Sequence, residues 1–341
     1  MKKVFEVFPG FCLAVVTAFV AVQIEALLPI PLIGASVLAL FLGMGCNYFK
    51  KPSASVAKGL KFTSKRVLKF AIILLGASLN ITTILTVGRL SLTVMVFTLL
   101  TCFGGGYFVG KLLGLDWKLS NLISAGTGIC GGSAIAAISP VIEADDRDIA
   151  YAMSATFLFD MAMILLFPLL GRALGLSDMA YGLWAGTAVN DTSSVVAAGY
   201  AFSEAAGDFA TMVKLTRTLS IIPTVLIFAL IQNRISKKEA LSNGTVANKE
   251  QVHIFTLLPW FIVGFIAMAL INSAGLLPAA ASLTMKNISK FLMVAALAAI
   301  GWNTDFGEMK QSGVNPMIHG FIVSLAVVLV AIGVEYAIGL V

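Results

Sequence analysis

The chain is 341 residues long, 59% hydrophobic and 12% charged, whereas soluble domains carry about a quarter charged residues. A soluble globular domain is excluded, and so is a transmembrane barrel, because the apolar residues run in blocks of about twenty instead of ten-residue alternating strands. The formal charge of +6 would suggest nucleic acid in a soluble protein. Here the cations gather between apolar blocks, where membrane topology accounts for them and no nucleic acid is implied.

The expected fold is all-α, a single polytopic transmembrane domain over 1–341 with about 10–11 transmembrane helices in the lipid bilayer. Apolar segments fall at about 8–28, 31–49, 67–87, 91–113, 119–142, 149–170, 179–202, 210–232, 254–275, 288–304 and 316–340. Lys2-Lys3 ahead of the run from Phe8 resembles a signal peptide. The run is too long, and Glu25 precedes Ala26 where a small-x-small cleavage site is wanted, so an uncleaved first span is expected. Turn signals follow at Pro29-Ile-Pro31 and Gly171-Arg-Ala-Leu-Gly175.

Two cytoplasmic loops are expected, at 50–69 and 233–253. The first holds Lys50, Lys51, Lys58, Lys61, Lys65, Arg66 and Lys69 with no acid, the mark of a cytoplasmic connection with a secondary role against anionic lipid. With a cytoplasmic N-terminus, 17 lysines and arginines fall inside and 6 outside or within spans. Arg172 counts as inner, and Glu143-Ala-Asp-Asp-Arg-Asp148 is an outer loop. This predicts a multi-pass inner-membrane protein with its C-terminus outside. Four separated cysteines and the isolated His253 and His319 give no metal site, no disulfide framework and no cofactor.

One sentence is written twice at an offset of 60. Ala125-Gly-Thr-Gly-Ile-Cys-Gly-Gly-Ser133-Ala-Ile-Ala-Ala137 is echoed by Ala185-Gly-Thr-Ala-Val-Asn-Asp-Thr-Ser193-Ser-Val-Val-Ala197. Glycine costs about 1 kcal/mol against alanine in a helix, so two broken or re-entrant segments are expected, with breaks around 126–132 and 186–192. Backbone freed in lipid must be buried in protein or line a watery cavity, and paired interruptions in two halves mark a transporter site. Small residues also serve plain helix packing, but packing does not require Asn190-Asp191-Thr192. If both segments cross fully they run parallel, which is wrong for inverted repeats; one is then re-entrant or the segment count is off by one. A weaker echo links Lys69-Phe70 through Leu85 to Lys290-Phe291 through Phe306, in spans expected to run oppositely.

The candidate substrate site is Thr127, Cys130, Gly131, Gly132 and Ser133 from the first copy, with Asn190, Thr192 and Ser193 from the second. Asp191 and the mid-span Asp160 are candidates for ion coupling, with Na+ or H+ as the ion; an intramembrane carboxylate costs at least ~2.5–3.5 kcal/mol and needs a partner. The alternative for Asp160 is a structural carboxyl bonded to neighbouring helices. Lys214 and Arg217, at i and i+3 on one helix face, favour an anion, and arginine matches an oxyanion with its fork; snorkelling is the alternative. The resting partner expected for Arg217 is Asp191 or Asp160. Glu25, Glu335 and Asn80 are assigned to the interface, Trp184 and Trp302 to packing or anchoring, and Asp305 and Glu308 to solvent.

Leu74-Leu-Gly-Ala-Ser-Leu79, the stretch from Gly126 to Pro140, Asp191-Thr-Ser-Ser-Val-Val-Ala-Ala-Gly199 and Val213-Lys-Leu-Thr-Arg217 resemble the YeiH-like membrane proteins, a prokaryotic family labelled sulfate exporters. The resemblance spans nearly the whole chain. It implies ten or eleven helices with inverted repeats and crossed broken helices, and it carries over no residue-level mechanism. Asn190 departs from the pattern, standing where many relatives carry histidine. The function expected is secondary active transport of a small anion, sulfate or a related sulfur oxyanion or sulfonate, by ion-coupled alternating access. An anion channel and a regulatory or scaffold protein are the alternatives. No nucleotide-binding motif is present, an enzyme is not expected, and a homo-oligomer is compatible with the sequence.

Overall fold

The structure is a computed structural model that describes residues 2–27, 34–243, 260–304 and 313–341, without the side chains of 2–5 and 236–243. All regular structure among these residues is helical. Helices long and apolar enough to cross a membrane cover Glu6–Leu27, Ile81–Leu112, Asp146–Ala173, Glu204–Ile235, Ala279–Asn303 and Val314–Ala337, with shorter apolar helices at Ala35–Phe49 and Trp260–Ser273.

The helices form two bundles. The first contains α1 (Lys2–Leu27), α2 (Ala35–Phe49), α3 (Ala54–Phe62) continuing through a widened turn, Thr63–Val67, into α4 (Leu68–Gly76), and later α14 (Trp260–Ser273) and α15 (Ala279–Asn303). Glycines let these helices approach backbone to backbone, as membrane interfaces do: a side chain at Gly43 would meet Trp302 N at 2.9 Å, and one at Gly301 would meet Met44 N at 2.9 Å. The second bundle contains α5 (Ile81–Leu100) and α6 (Gly106–Leu112), joined by the widened turn Thr101–Gly105, then α7 (Trp117–Ala125), α8 (Gly132–Ile138), α9 (Asp146–Ala173), α10 (Asp178–Ala188), α11 (Thr192–Phe202), α12 (Glu204–Thr218), α13 (Ile221–Asn243) and α16 (Val314–Ala337).

Both copies of the repeated motif are hairpins that turn back. α7 and α8 have their ends together, where Lys118 Nζ donates to Glu143 O at 2.7 Å. α10 and α11 do the same: Ser203 Oγ donates to Asp178 Oδ1 at 2.6 Å, and Tyr181 stacks on Phe202 with ring centroids 3.9 Å apart. α9 separates them. The first hairpin leads into its start and the second follows its end, so the two enter from opposite ends of the bundle. This resolves the expected conflict in direction: two inverted hairpins are an inverted pair. It also corrects the placement of 143–148 opposite Lys118: the two lie at the same end.

The expected segment 67–87 is two helices. α4 stops at Gly76 and α5 starts at Ile81, where the Asn80 side chain caps it by accepting from Thr82 N at 2.9 Å. The expected loop 50–69 is helical from Ala54. Lys58, Lys61, Lys65, Arg66 and Lys69 ride one side while Gly59, Leu60, Thr63 and Val67 are buried, so most of the dense charge belonged to a helix face and only Lys50 and Lys51 to a connection. Glu335, assigned to the interface, is fully buried, and Trp184 is a core residue donating to Val328 O. Residues 233–243 continue α13. The rest of that expected loop, the Pro29–Pro31 turn, Asp305 and Glu308 lie outside the described residues. The weaker echo runs oppositely as expected: Ser289 Oγ bonds Ala71 O while Ser282 Oγ bonds Ala77 O, an antiparallel crossing of α4 and α15.

Candidate functional site

The tips of the two hairpins meet. At the first, the helix widens over Gly126–Cys130, with Gly131 N bonded to Gly126 O, and then breaks at Gly131, whose φ of 64° suits glycine. At the second, α10 ends at Ala188 and the chain is extended through Asp191, the N-cap of α11. An added Cβ on Gly131 would lie 2.9 Å from Asp191 Cβ. The glycine is needed because the other tip passes there.

Asp160, at the middle of α9, fixes the second tip. Its Oδ1 and Oδ2 accept from Asn190 N and Asp191 N, each at 2.9 Å, amides that the helix break leaves without a ladder partner. Asp191 in turn caps α11, accepting from Ser193 N at 2.9 Å and from Ser193 Oγ. Arg217 of α12 fixes the first tip through Nε to Gly128 O at 2.6 Å and Nη2 to Thr127 O, and reaches the second through Nη1 to Val189 O at 3.2 Å. Lys214 Nζ shares Val189 O at 3.0 Å. Ser324 of α16 joins both copies, 3.4 Å from Thr127 Oγ1 and 3.3 Å from Asn190 Nδ2.

A cavity of about 950 Å³ lies in front of the tips, between the two bundles. Of the expected residues, Cys130, Gly131, Gly132, Ser133, Asp160, Asp191, Thr192 and Ser193 line it. Thr127, Asn190, Lys214 and Arg217 do not; they are buried behind the tips. Neither cation has a carboxylate within 4.0 Å among the described residues, so the expected ion pair of Arg217 with Asp191 or Asp160 is corrected: backbone carbonyls are its partners.

The opposite wall comes from the first bundle and was missed in the sequence. It includes Ser64, Lys65, Lys69, Phe261, Asn303 and Thr304. Lys69 Nζ lies 5.4 Å from the centre of the Phe261 ring, within cation–π range. The signal was available: Lys65 and Lys69 stand four apart, so they share a helix face. The lining runs from the tips toward the end where the first hairpin has its base, reaching Pro140. At the other end the bundles are tied by ions, Lys286 Nζ lying 2.8 Å from both Glu204 and Asp208 and Lys290 pairing with Glu204. No group of three or more metal-ligating side chains occurs among the described residues.

Sequence comparison places these elements in a family. Residues 9–320 match the model described as conserved hypothetical protein 698. A UPF0324 membrane protein of Clostridium tetani is 53% identical over 334 residues, 97% of each chain. UPF0324 membrane proteins of Streptococcus mutans and Fusobacterium nucleatum are 39% and 38% identical, each over 91% of this chain and 92% of the relative. The chain, an all-helical multi-pass protein with two inverted hairpins, belongs to the conserved hypothetical protein 698 family of bacterial UPF0324 membrane proteins.

Proposed function

We propose that the protein is a secondary active transporter of a small anion, sulfate or a related sulfur oxyanion or sulfonate, working by ion-coupled alternating access. The observation that carries this reading is the meeting of two inverted hairpin tips at the blind end of a cavity between two bundles. Discontinuous helices at mid-depth are how membrane carriers build binding sites. A cavity that reaches the tips from one end, with ion pairs across the bundles at the other, suits a carrier better than an open channel.

The anion is assigned to the space between the tips and the first bundle. Gly132, Ser133, Thr192 and Ser193 border it on one side, with the hydroxyls of Ser133 and Thr192 as donors, and Lys65 and Lys69 border it on the other. These two lysines take the neutralising role first expected of Lys214 and Arg217. Asp191, which lines the cavity, is the ion-coupling candidate; Asp160 positions the tip that carries it.

The test is thermal unfolding of purified protein titrated with sulfate, thiosulfate and small alkyl sulfonates against chloride at equal ionic strength, followed by flux in proteoliposomes. Saturable stabilisation and flux by one anion class are expected. Indifference to all of them in both assays would overturn the reading.

A further inference from the structure

The transport reading leaves two buried cations without a substrate role. Lys214 and Arg217 are 0% and 1% exposed, and their donors go to main-chain oxygens of Val189, Gly128 and Thr127. These oxygens belong to the breaks. Val189 follows the last residue of α10, and Thr127 and Gly128 lie in the widened turn ahead of Gly131. The C-terminal end of a helix carries partial negative charge. In carriers with discontinuous helices, unwound carbonyls and half-helix C-terminal ends are where coupling Na+ is coordinated. Asn190 Oδ1 adds a further oxygen at the second tip, buried and without a hydrogen-bond partner. The chain thus assembles the oxygen donors that a hard monovalent cation takes, and meets three of them with an ammonium and a guanidinium of its own.

We infer that Lys214 and Arg217 are resident cations of the paired tips, filling the carbonyl positions at which a sodium-coupled carrier of this construction would hold Na+, so that the tips bind no alkali-metal ion. The consequence for coupling, that transport does not run on sodium, rests on the transport reading; the binding statement does not. Arg217 ties the first tip to the second, and Lys214 supplies the remaining charge at Val189. Removing the ammonium alone opens space at the second tip, where Val189 O keeps Arg217 Nη1 as its other donor and Asn190 Oδ1 has no partner, with Arg217 still holding the first tip.

The experiment is thermal unfolding of the purified full chain while NaCl replaces choline chloride at constant ionic strength. The wild-type protein is expected to unfold at one temperature throughout. Lys214→Ala is expected to unfold lower in choline and to recover in a saturable upward shift as Na+ rises. Lys214→Arg, which keeps a cation at the second tip, is expected to show no such recovery. Saturable Na+ stabilisation of the wild type would overturn the inference, and so would a folded Lys214→Ala protein indifferent to Na+. Should Lys214→Ala yield no folded protein, the wild-type titration decides alone. Failure of the transport reading would leave every arm of this titration unchanged, so the two can be told apart.

Discussion

Gly131→Ala should be among the most damaging methyl additions in the chain, while Gly132→Ala next to it should be harmless. Gly131 has φ 64° and ψ −137°, a conformation close to glycine-only, worth about 1–3 kcal/mol of strain for another residue. The new methyl would stand 2.9 Å from Asp191 Cβ and Oδ1 and 3.1 Å from its Cα, and overpacking of this kind costs about 1–3 kcal/mol. The neighbour cannot yield cheaply, because Asp191 N is bonded to Asp160 and its side chain caps α11. A total of about 2–6 kcal/mol follows from these two ranges. At Gly132, the first residue of α8, a methyl meets only Met153 Cε at 4.0 Å, and glycine to alanine at a compatible position stabilises by about 0.4–1 kcal/mol. The assay is thermal unfolding of both variants in one detergent. Equal shifts, or a wild-type transition for Gly131→Ala, would refute contact between the tips at this residue.

Three further predictions concern the cavity. Asp160→Asn keeps the volume but replaces one of two acceptors by an NH2 group, leaving an amide of the second tip unpaired at a cost of about 1–3 kcal/mol; lowered unfolding temperature with lost flux is expected, and wild-type values in both would remove Asp160 from the tip's support. Asp191→Asn can still cap α11, since asparagine caps about as well as aspartate, so folding should hold while ion coupling is lost; flux with unchanged dependence on the driving ion would show that Asp191 is structural. Lys69→Gln removes one cation facing the tips, and a hydrogen bond to a charged group is worth about 1.5–3 kcal/mol, so anion affinity should fall at least about tenfold with unfolding in the absence of anion little changed. An unaltered dissociation constant would place the anion elsewhere.

The helical segments and the position of both breaks were legible, because apolar blocks and the glycine and hydroxyl residues at 126–133 and 186–193 carry that information directly. The turning back of both motif segments was not. A re-entrant hairpin and a crossing helix of the same length have the same hydropathy, and what distinguishes them is a contact between ends, Lys118 with Glu143 and Ser203 with Asp178. Lys65 and Lys69 were hidden by charge density, which suggests a loop, although Leu60, Leu68, Ala71, Ile72 and Leu75, all buried, mark a helix face there. Lys214 and Arg217 were rightly placed deep but given the wrong partner. A sequence displays its carboxylates and conceals its carbonyls, so an oxygen partner sought among side chains was sought in the wrong place.

The two hairpins share a motif but are held by opposite charges, and the difference follows from how each tip breaks. The first keeps its amide inside the widened turn, Gly131 N to Gly126 O, and offers carbonyls; a cation, Arg217, answers it. The second opens into extended chain and offers the amides of Asn190 and Asp191; a carboxylate, Asp160, answers that. Both answering residues sit on helices of the second bundle, so the tips are fastened to that bundle and to each other, with Ser324 as a third tie. The first bundle contributes cavity wall, and at the far end it meets the base of the second hairpin through Lys286 and Lys290. The pairs to Glu204, whose side chain is 59% accessible, each stabilise by only about 0–1 kcal/mol. Lys286 with Asp208, whose side chain is 12% accessible, is a tighter tie, yet it is one pair, where opening a tip would strip several buried amides and carbonyls of their partners. In the proposed carrier, therefore, alternation is cheaper as a movement of the whole hairpin-bearing bundle past the first than as an opening of the hairpins themselves.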